Sequence, residues 1–166
     1  MSQDEQGCDY VSGFFKKIDG WINDNKLDLK RVKHEECEEI LNYSIEELEQ
    51  ENPLDLLKKG YVLHGYADYL AAAYNREKMI YEYADNSINY ILSSVFNNYG
   101  DQYTKWEVKY NSAVKENPLA LKLLQLKNNA RARLSLLENK SEHIKKMADL
   151  MIELSRRKKN DYYSNS

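Results

Sequence analysis

Proline is nearly missing from this chain, with two residues in 166, and glycine is scarce, with six. So few breakers leave little room for the frequent turns of sandwiches and barrels, and they permit long uninterrupted helices. Cysteine is equally rare: Cys8 and Cys37 have no metal-ligand spacing and make no disulfide framework. Both are expected reduced, in a cytoplasmic setting (the host cytoplasm if the protein is phage-encoded). Long apolar runs are absent, Tyr69 to Tyr74 being among the longest stretches, so no segment is expected to span a bilayer. The first ten residues are acidic and lack the basic start and apolar run of a secretory leader.

Charge is plentiful but unevenly placed. Residues 1–103 hold 10 Lys and Arg against 20 Asp and Glu, whereas residues 104–160 hold 14 against 6. Such a division suits a charged partner or head-to-tail self-association, and it equally suits two halves that neutralise each other on folding.

The apolar residues follow a helical period. Val11, Phe14, Phe15, Ile18 and Ile22 predict a first helix, and Leu29, Val32, Cys37, Ile40 and Leu41 a charged second one from about Asp28. Ser44 with Glu47 fits a capping box opening a further turn. The tripeptide Glu-Asn-Pro occurs twice, at 51–53 and 116–118. In each, Asn can cap a helix while Pro takes the first helical position, where its missing N–H costs nothing. A heptad column of Leu56, Leu63, Leu70, Glu77, Ala84 and Ile91 follows the first, and Leu123, Ala130, Leu137, Ile144 and Met151 the second. Gly60 and Gly65 mark a bend or a close helix contact in the first arm, and Asn97 to Asp101 supplies turn chemistry around Gly100.

These signals predict an all-α fold. Its centre is a long antiparallel helical hairpin (about 53–98 and 118–157), joined by short N-terminal helices into a helical bundle with coiled-coil-like seams. The organisation expected is an acidic helical segment over 1–52, the hairpin over 53–160 and a disordered tail over 161–166. Two arms this long outrun the cover that the N-terminal helices provide, which predicts a homo-oligomer.

Constellations for chemistry are thin. His34 and Glu38, with Cys37 between them, make the densest metal-capable group, but no second cluster of His or Cys completes it, and acidic helix surface is the better reading. His64 and Asp68 read as a helix-surface pair, and His143 as an exposed residue of a basic helix. The sequence contains no Glu-x-x-His, which excludes the di-iron bundle, and it lacks a phosphate loop or a nucleophile elbow. No catalysis, metal or cofactor is expected.

Tyrosine is the unusual component: 10 of the 14 lie between Tyr61 and Tyr110. Most suit packing between helices with the hydroxyl at a wet edge. Lys105, Trp106, Lys109 and Tyr110, however, interleave cations with aromatic faces, the combination that stacks single-stranded bases and holds phosphates. Further basic candidates are Arg131, Arg133 and Lys140 on the last arm and the run Arg156, Arg157, Lys158 and Lys159 near its end.

Two stretches, Tyr66 to Asp101 and Asn117 to Leu154, together resemble the UvsY-type recombination mediators of tailed phages. The likeness lies in an early helix with Tyr and Leu positions, the Asn98-Tyr99-Gly100 turn, and a basic last helix carrying Glu142-His143-Ile144-Lys145-Lys146. The family's basic residues before the turn have no counterpart, since Ile91 to Asn98 contains no Lys or Arg. Any DNA site is thereby shifted to Lys105, Trp106, Lys109 and the last helix. The resemblance implies a non-catalytic oligomer that binds single-stranded DNA, remodels the single-strand-binding protein and helps load a recombinase. The alternative expectation is a helical protein-binding module: a phage structural or packaging component, or an inhibitor of a host defence nuclease acting through its acidic surface.

Overall fold

Asn-Pro opens both arms as its chemistry requires. In a computed structural model, Asn52 Oδ1 accepts from the Asp55 N–H at 3.0 Å and Asn117 Oδ1 accepts from the Ala120 N–H at 3.0 Å. The capping box also forms: Ser44 N–H donates to Glu47 Oε2 at 2.8 Å, and Glu47 N–H donates to Ser44 Oγ at 3.2 Å. The structure describes residues 3–25 and 32–164, with side chains over 12–25 and 32–160. The side chains of Cys8 and Val11, the expected helix start at Asp28, Leu29 and the side chains of the 161–166 segment lie outside these.

The elements are α1 (Gln3–Asp24), α2 (His34–Leu41), α3 (Ile45–Gln50), α4 (Pro53–Ser93), a 3-10 turn (Phe96–Asn98), α5 (Trp106–Glu116), α6 (Pro118–Leu137) and α7 (Lys140–Ser164). Among the described residues there is no strand, and no helix is long and apolar enough to cross a membrane. The fold is an all-α helical bundle whose arms run antiparallel.

The arm boundaries differ from the heptad reading in three places. The α4 helix stops at Ser93, where the hydroxyls of Ser93 and Ser94 turn back to the carbonyls of Tyr90 and Ile91 at 2.7 and 3.4 Å and compete with the helix. The last arm is two helices, because Asn139 sits at φ 59°, a left-handed stop that Asn tolerates better than most residues. Asn139 then starts α7 by accepting the His143 N–H at 3.0 Å. Finally, α7 continues to Ser164, since no Gly or Pro interrupts it.

Contacts divide the chain into two compact units, Leu29–Tyr74 with Leu137–Ser166 and Met1–Asp28 with Asn75–Leu136. We call them the clasp unit and the turn unit. In the clasp unit Leu63, Ala67 and Leu70 of α4 pack with Ile144, Ala148 and Met151 of α7 and with Ile40 of α2. Small residues bring the two long helices together: a Cβ on Gly60 would lie 2.8 Å from Ile152 Cγ1 and 3.1 Å from the Ala148 carbonyl oxygen. Gly65, by contrast, is exposed with nothing near it. Polar clasps fix the register. Ser141 Oγ donates to the Ala67 carbonyl at 2.8 Å and Ser155 Oγ to the Pro53 carbonyl at 2.6 Å. His64 pairs with Asp149 at 3.1 Å and Lys145 with Asp68 at 3.5 Å, so His64 and Asp68 each reach α7. Cys37 is fully buried, and burial followed by the nearby Glu36 charge raises its thiol pKa.

In the turn unit Ala84, Ile88 and Leu92 of α4 pack with Ala113, Val114, Ala120 and Leu123 of α5 and α6. The first helix joins this unit through Phe14, stacked on Tyr83 at 4.2 Å, and through Asp19, which accepts both guanidinium nitrogens of Arg76 at 2.7 and 3.2 Å. The polar member of the α4 column, Glu77, pairs with Arg133 of α6 at 2.8 Å. Its side chain is 17% exposed, so removing its partner leaves a largely desolvated carboxylate. Arg133→Ala is expected to cost about 1–3 kcal/mol in a urea titration, whereas the Glu77→Leu and Arg133→Leu double variant is expected to match the parent.

Candidate nucleic-acid interface

The turn that feeds α5 is built around one carboxylate. Gly100 takes φ 105°, and Asp101 Oδ1 then accepts from the Tyr103 N–H and from Thr104 Oγ1, each at 3.0 Å. Those hydrogen bonds, Thr104 first, hold the Asp101 carboxyl below its ordinary pKa. Tyr99, just before Gly100, donates its hydroxyl to Glu116 Oε2 at 3.0 Å, which ties the turn to the end of α5 and raises the phenol's pKa. Because the Asp101 pKa is lowered on folding, its contribution is present above about pH 4 and lost as pH falls through the lowered value. The Tyr103 amide resonance is expected to move in that window below about pH 4 and to stay put in Asp101→Asn, whose amide oxygen still accepts.

This turn delivers Lys105 as the cap residue of α5, its carbonyl accepting the N–H groups of Val108 and Lys109 at 3.1 and 3.2 Å. Trp106 begins the helix. Its indole stacks on Tyr110, one turn on, with centroids 4.9 Å apart and planes at 21°, and meets Phe96 at 5.9 Å. Tyr110 packs against the turn-unit core, so the indole has a fixed backing while remaining 57% exposed. Lys105 is exposed and Lys109 half-buried, close enough to Asp101 for its charge to help lower that carboxyl. Tyr103 is 83% exposed within the same turn.

The other basic candidates are placed differently. Arg131 is exposed on α6, and Arg133 is committed to Glu77. Lys127, on the same helix, donates to Asp85 at 2.6 Å. Burial works to lower its pKa, but the Asp85 hydrogen bond and charge outweigh that and raise it. Lys140, Arg156 and Lys159 are exposed in the clasp unit, where Arg157 pairs with Glu153 at 3.0 Å. Lys158 donates to the carbonyls of Glu49 and Glu51 at 2.5 and 2.6 Å and so satisfies the C-terminal end of α3. Thus Lys105, Trp106, Lys109, Tyr110, Arg131 and Arg133 belong to one unit, and Lys140 with Arg156 to Lys159 to the other. Part of the charge division is used internally, since Arg133, Lys127 and Lys145 of the basic half meet Glu77, Asp85 and Asp68 of the acidic half.

Of the 10 tyrosines between 61 and 110, six are partly buried and four, Tyr61, Tyr69, Tyr90 and Tyr103, are exposed. Tyr66 and Tyr69 frame His34, whose ring lies edge-on to both at 5.7 and 5.1 Å. Two features had no signal in the spacing. Phe96 joins Trp106 only because the 3-10 turn brings it there. An open apolar groove of about 390 Å³ runs between the α2–α3 corner and α7, with Ile45, Leu48, Met147, Leu150 and Leu154 among its walls. Comparison with family models, curated proteins and solved structures finds no match for this chain.

Proposed function

We propose that this chain is a non-catalytic accessory protein of DNA recombination or replication, of phage type, that binds single-stranded DNA as a homo-oligomer and assists recombinase loading. The observation that carries the reading is the exposed Trp106 indole, backed by Tyr110 and set between Lys105 and Lys109. An indole with a rigid backing stacks on a base of any identity, and the adjoining ammonium groups hold the backbone, which gives sequence-tolerant binding. Because several other cations are occupied in internal pairs, one subunit offers few phosphate contacts. Affinity then depends on several subunits gripping one strand, where effective concentration multiplies weak sites. The resemblance to UvsY-type mediators supports the same reading and supplies the recombinase and the single-strand-binding protein as partners.

A fluorescence-anisotropy titration of labelled single-stranded DNA at two salt concentrations, with oligomer mass measured on the same sample, tests this. Micromolar or tighter binding is expected, with log K falling by about 0.7 per decade of salt for each phosphate neutralised. Absence of binding at low salt would refute it and favour the second reading, a helical protein-binding module, for which the apolar groove beside α7 is the specific feature.

A further inference from the structure

The groove beside α7 has walls that stand unusually proud: Ile45 is 72% exposed and Leu150 70%. Elsewhere in the same unit, α4 carries an apolar ridge that the described residues leave exposed. Leu54, Leu57 and Tyr61 are 60%, 47% and 69% exposed, and their i, i+3, i+7 spacing aligns them along one helix face. At about 100° per residue this ridge lies on the side of α4 opposite Leu56, Leu63 and Ala67, which face the core. A subunit therefore cannot place its own ridge in its own groove.

We propose that a second copy of this chain seats its Leu54–Leu57–Tyr61 ridge in the groove formed by Ile45, Leu48, Met147, Leu150 and Leu154, so that copies join head to tail. The shapes correspond to the helix-in-groove mode, in which residues at i, i+3 and i+7 anchor an amphipathic helix in an apolar cleft. The charges correspond as well. The groove is edged by Glu49, Glu153 and Arg157, the last held by Glu153 at 3.0 Å, which leaves the rim net negative through Glu49, and the ridge is flanked by Lys58, which pairs with the exposed Asp55 at 2.9 Å. Exposed pairs of that kind are worth little and exchange readily. A two-fold contact of groove on groove would instead set two rims of the same net sign against each other, which disfavours it. A ridge and a groove on separate faces make a heterologous contact, which propagates from copy to copy and closes into a ring where the rotation permits. The inference rests on the oligomer named above and assigns its interface.

The test is made on full-length protein without nucleic acid, so that it stands apart from DNA binding. Leu54→Asp with Tyr61→Asp removes the ridge, and Leu150→Asp removes the groove; all three positions are exposed, so helical content and melting are expected to match the parent. Analytical ultracentrifugation is expected to show the parent as an oligomer and each variant as a monomer, with association weakened about 30-fold or more. An equimolar mixture of ridge variant and groove variant is expected to form one-to-one dimers and nothing larger, because one intact ridge meets one intact groove. Lys58→Glu is expected to weaken association severalfold, with Glu49→Lys restoring it. A monomeric parent, or a ridge variant that assembles like the parent, or a mixture that does not pair, would each overturn the proposal. Loss of DNA binding by an intact oligomer would overturn the functional reading and leave this interface standing.

Discussion

Two glycines five residues apart on α4 are expected to respond to substitution with opposite signs. Gly60→Val should destabilise the protein by about 3 kcal/mol, because the new side chain enters a close contact between α4 and α7. Its Cβ alone would stand 2.8 Å from Ile152 Cγ1 and 3.1 Å from the Ala148 carbonyl oxygen. The first neighbour has some freedom, but the second is backbone of a packed helix, so relief requires the helices to separate along a seam that includes Leu63, Ala67 and Ala148. Ile152→Ala in the same chain should recover only part of the loss, since the carbonyl remains. Gly65→Ala meets nothing within 4 Å and should stabilise the helix by about 0.5–1 kcal/mol through propensity alone. Urea titrations of the three variants decide the matter, and equal effects at the two glycines would show that propensity rather than packing governs α4.

The second large effect concerns Trp106. Trp106→Ala is expected to weaken single-stranded DNA binding between about fivefold and about 150-fold, the range of losing one stacked base. Trp106→Phe should retain most of the affinity, because a smaller ring still stacks on Tyr110 and presents a face. Lys105→Ala and Lys109→Ala should instead lower the slope of affinity against salt, the mark of phosphate contacts. Lys158→Ala serves as the contrast: its ammonium is occupied by the carbonyls of Glu49 and Glu51, so the change should loosen α3 more than it weakens DNA binding. Anisotropy titrations beside melting curves separate the two outcomes. A Trp106→Ala protein that binds like the parent would remove the stacking platform from consideration.

The helical arms were legible because several local signals agreed. Asn-Pro caps, a capping box and apolar columns at Leu56, Leu63 and Leu70 and at Leu123, Ala130 and Ile144 all reported one architecture, and those residues are buried. The break at Asn139 was not legible, because the heptad passes unaltered from Leu137 to Ile144 and a left-handed asparagine leaves no mark on that pattern. Of the candidate interface, the Trp106–Tyr110 pair follows from i, i+4 spacing on a helix. The commitment of Arg133 to Glu77, and of Lys158 to the end of α3, depended on which helices meet, and sequence spacing carries no such information. Exposure of Leu150 beside the buried Met151 was hidden for the same reason.

The polar ties also differ in the length of chain that each must close. Tyr99 reaches Glu116 across 17 residues, Lys127 reaches Asp85 across 42, Ser141 reaches Ala67 across 74, Ser155 reaches Pro53 across 102 and Lys158 reaches Glu49 across 109. Each tie, once made, shortens the loop that the next must close, so the entropy of closing a hundred-residue loop in one step never has to be met. Closure is therefore expected to run like a zipper from the Gly100 turn, with the grip of Lys158 on α3 the last tooth to engage, and pulsed hydrogen exchange that protected the α3 end before the Gly100 turn would reverse that order.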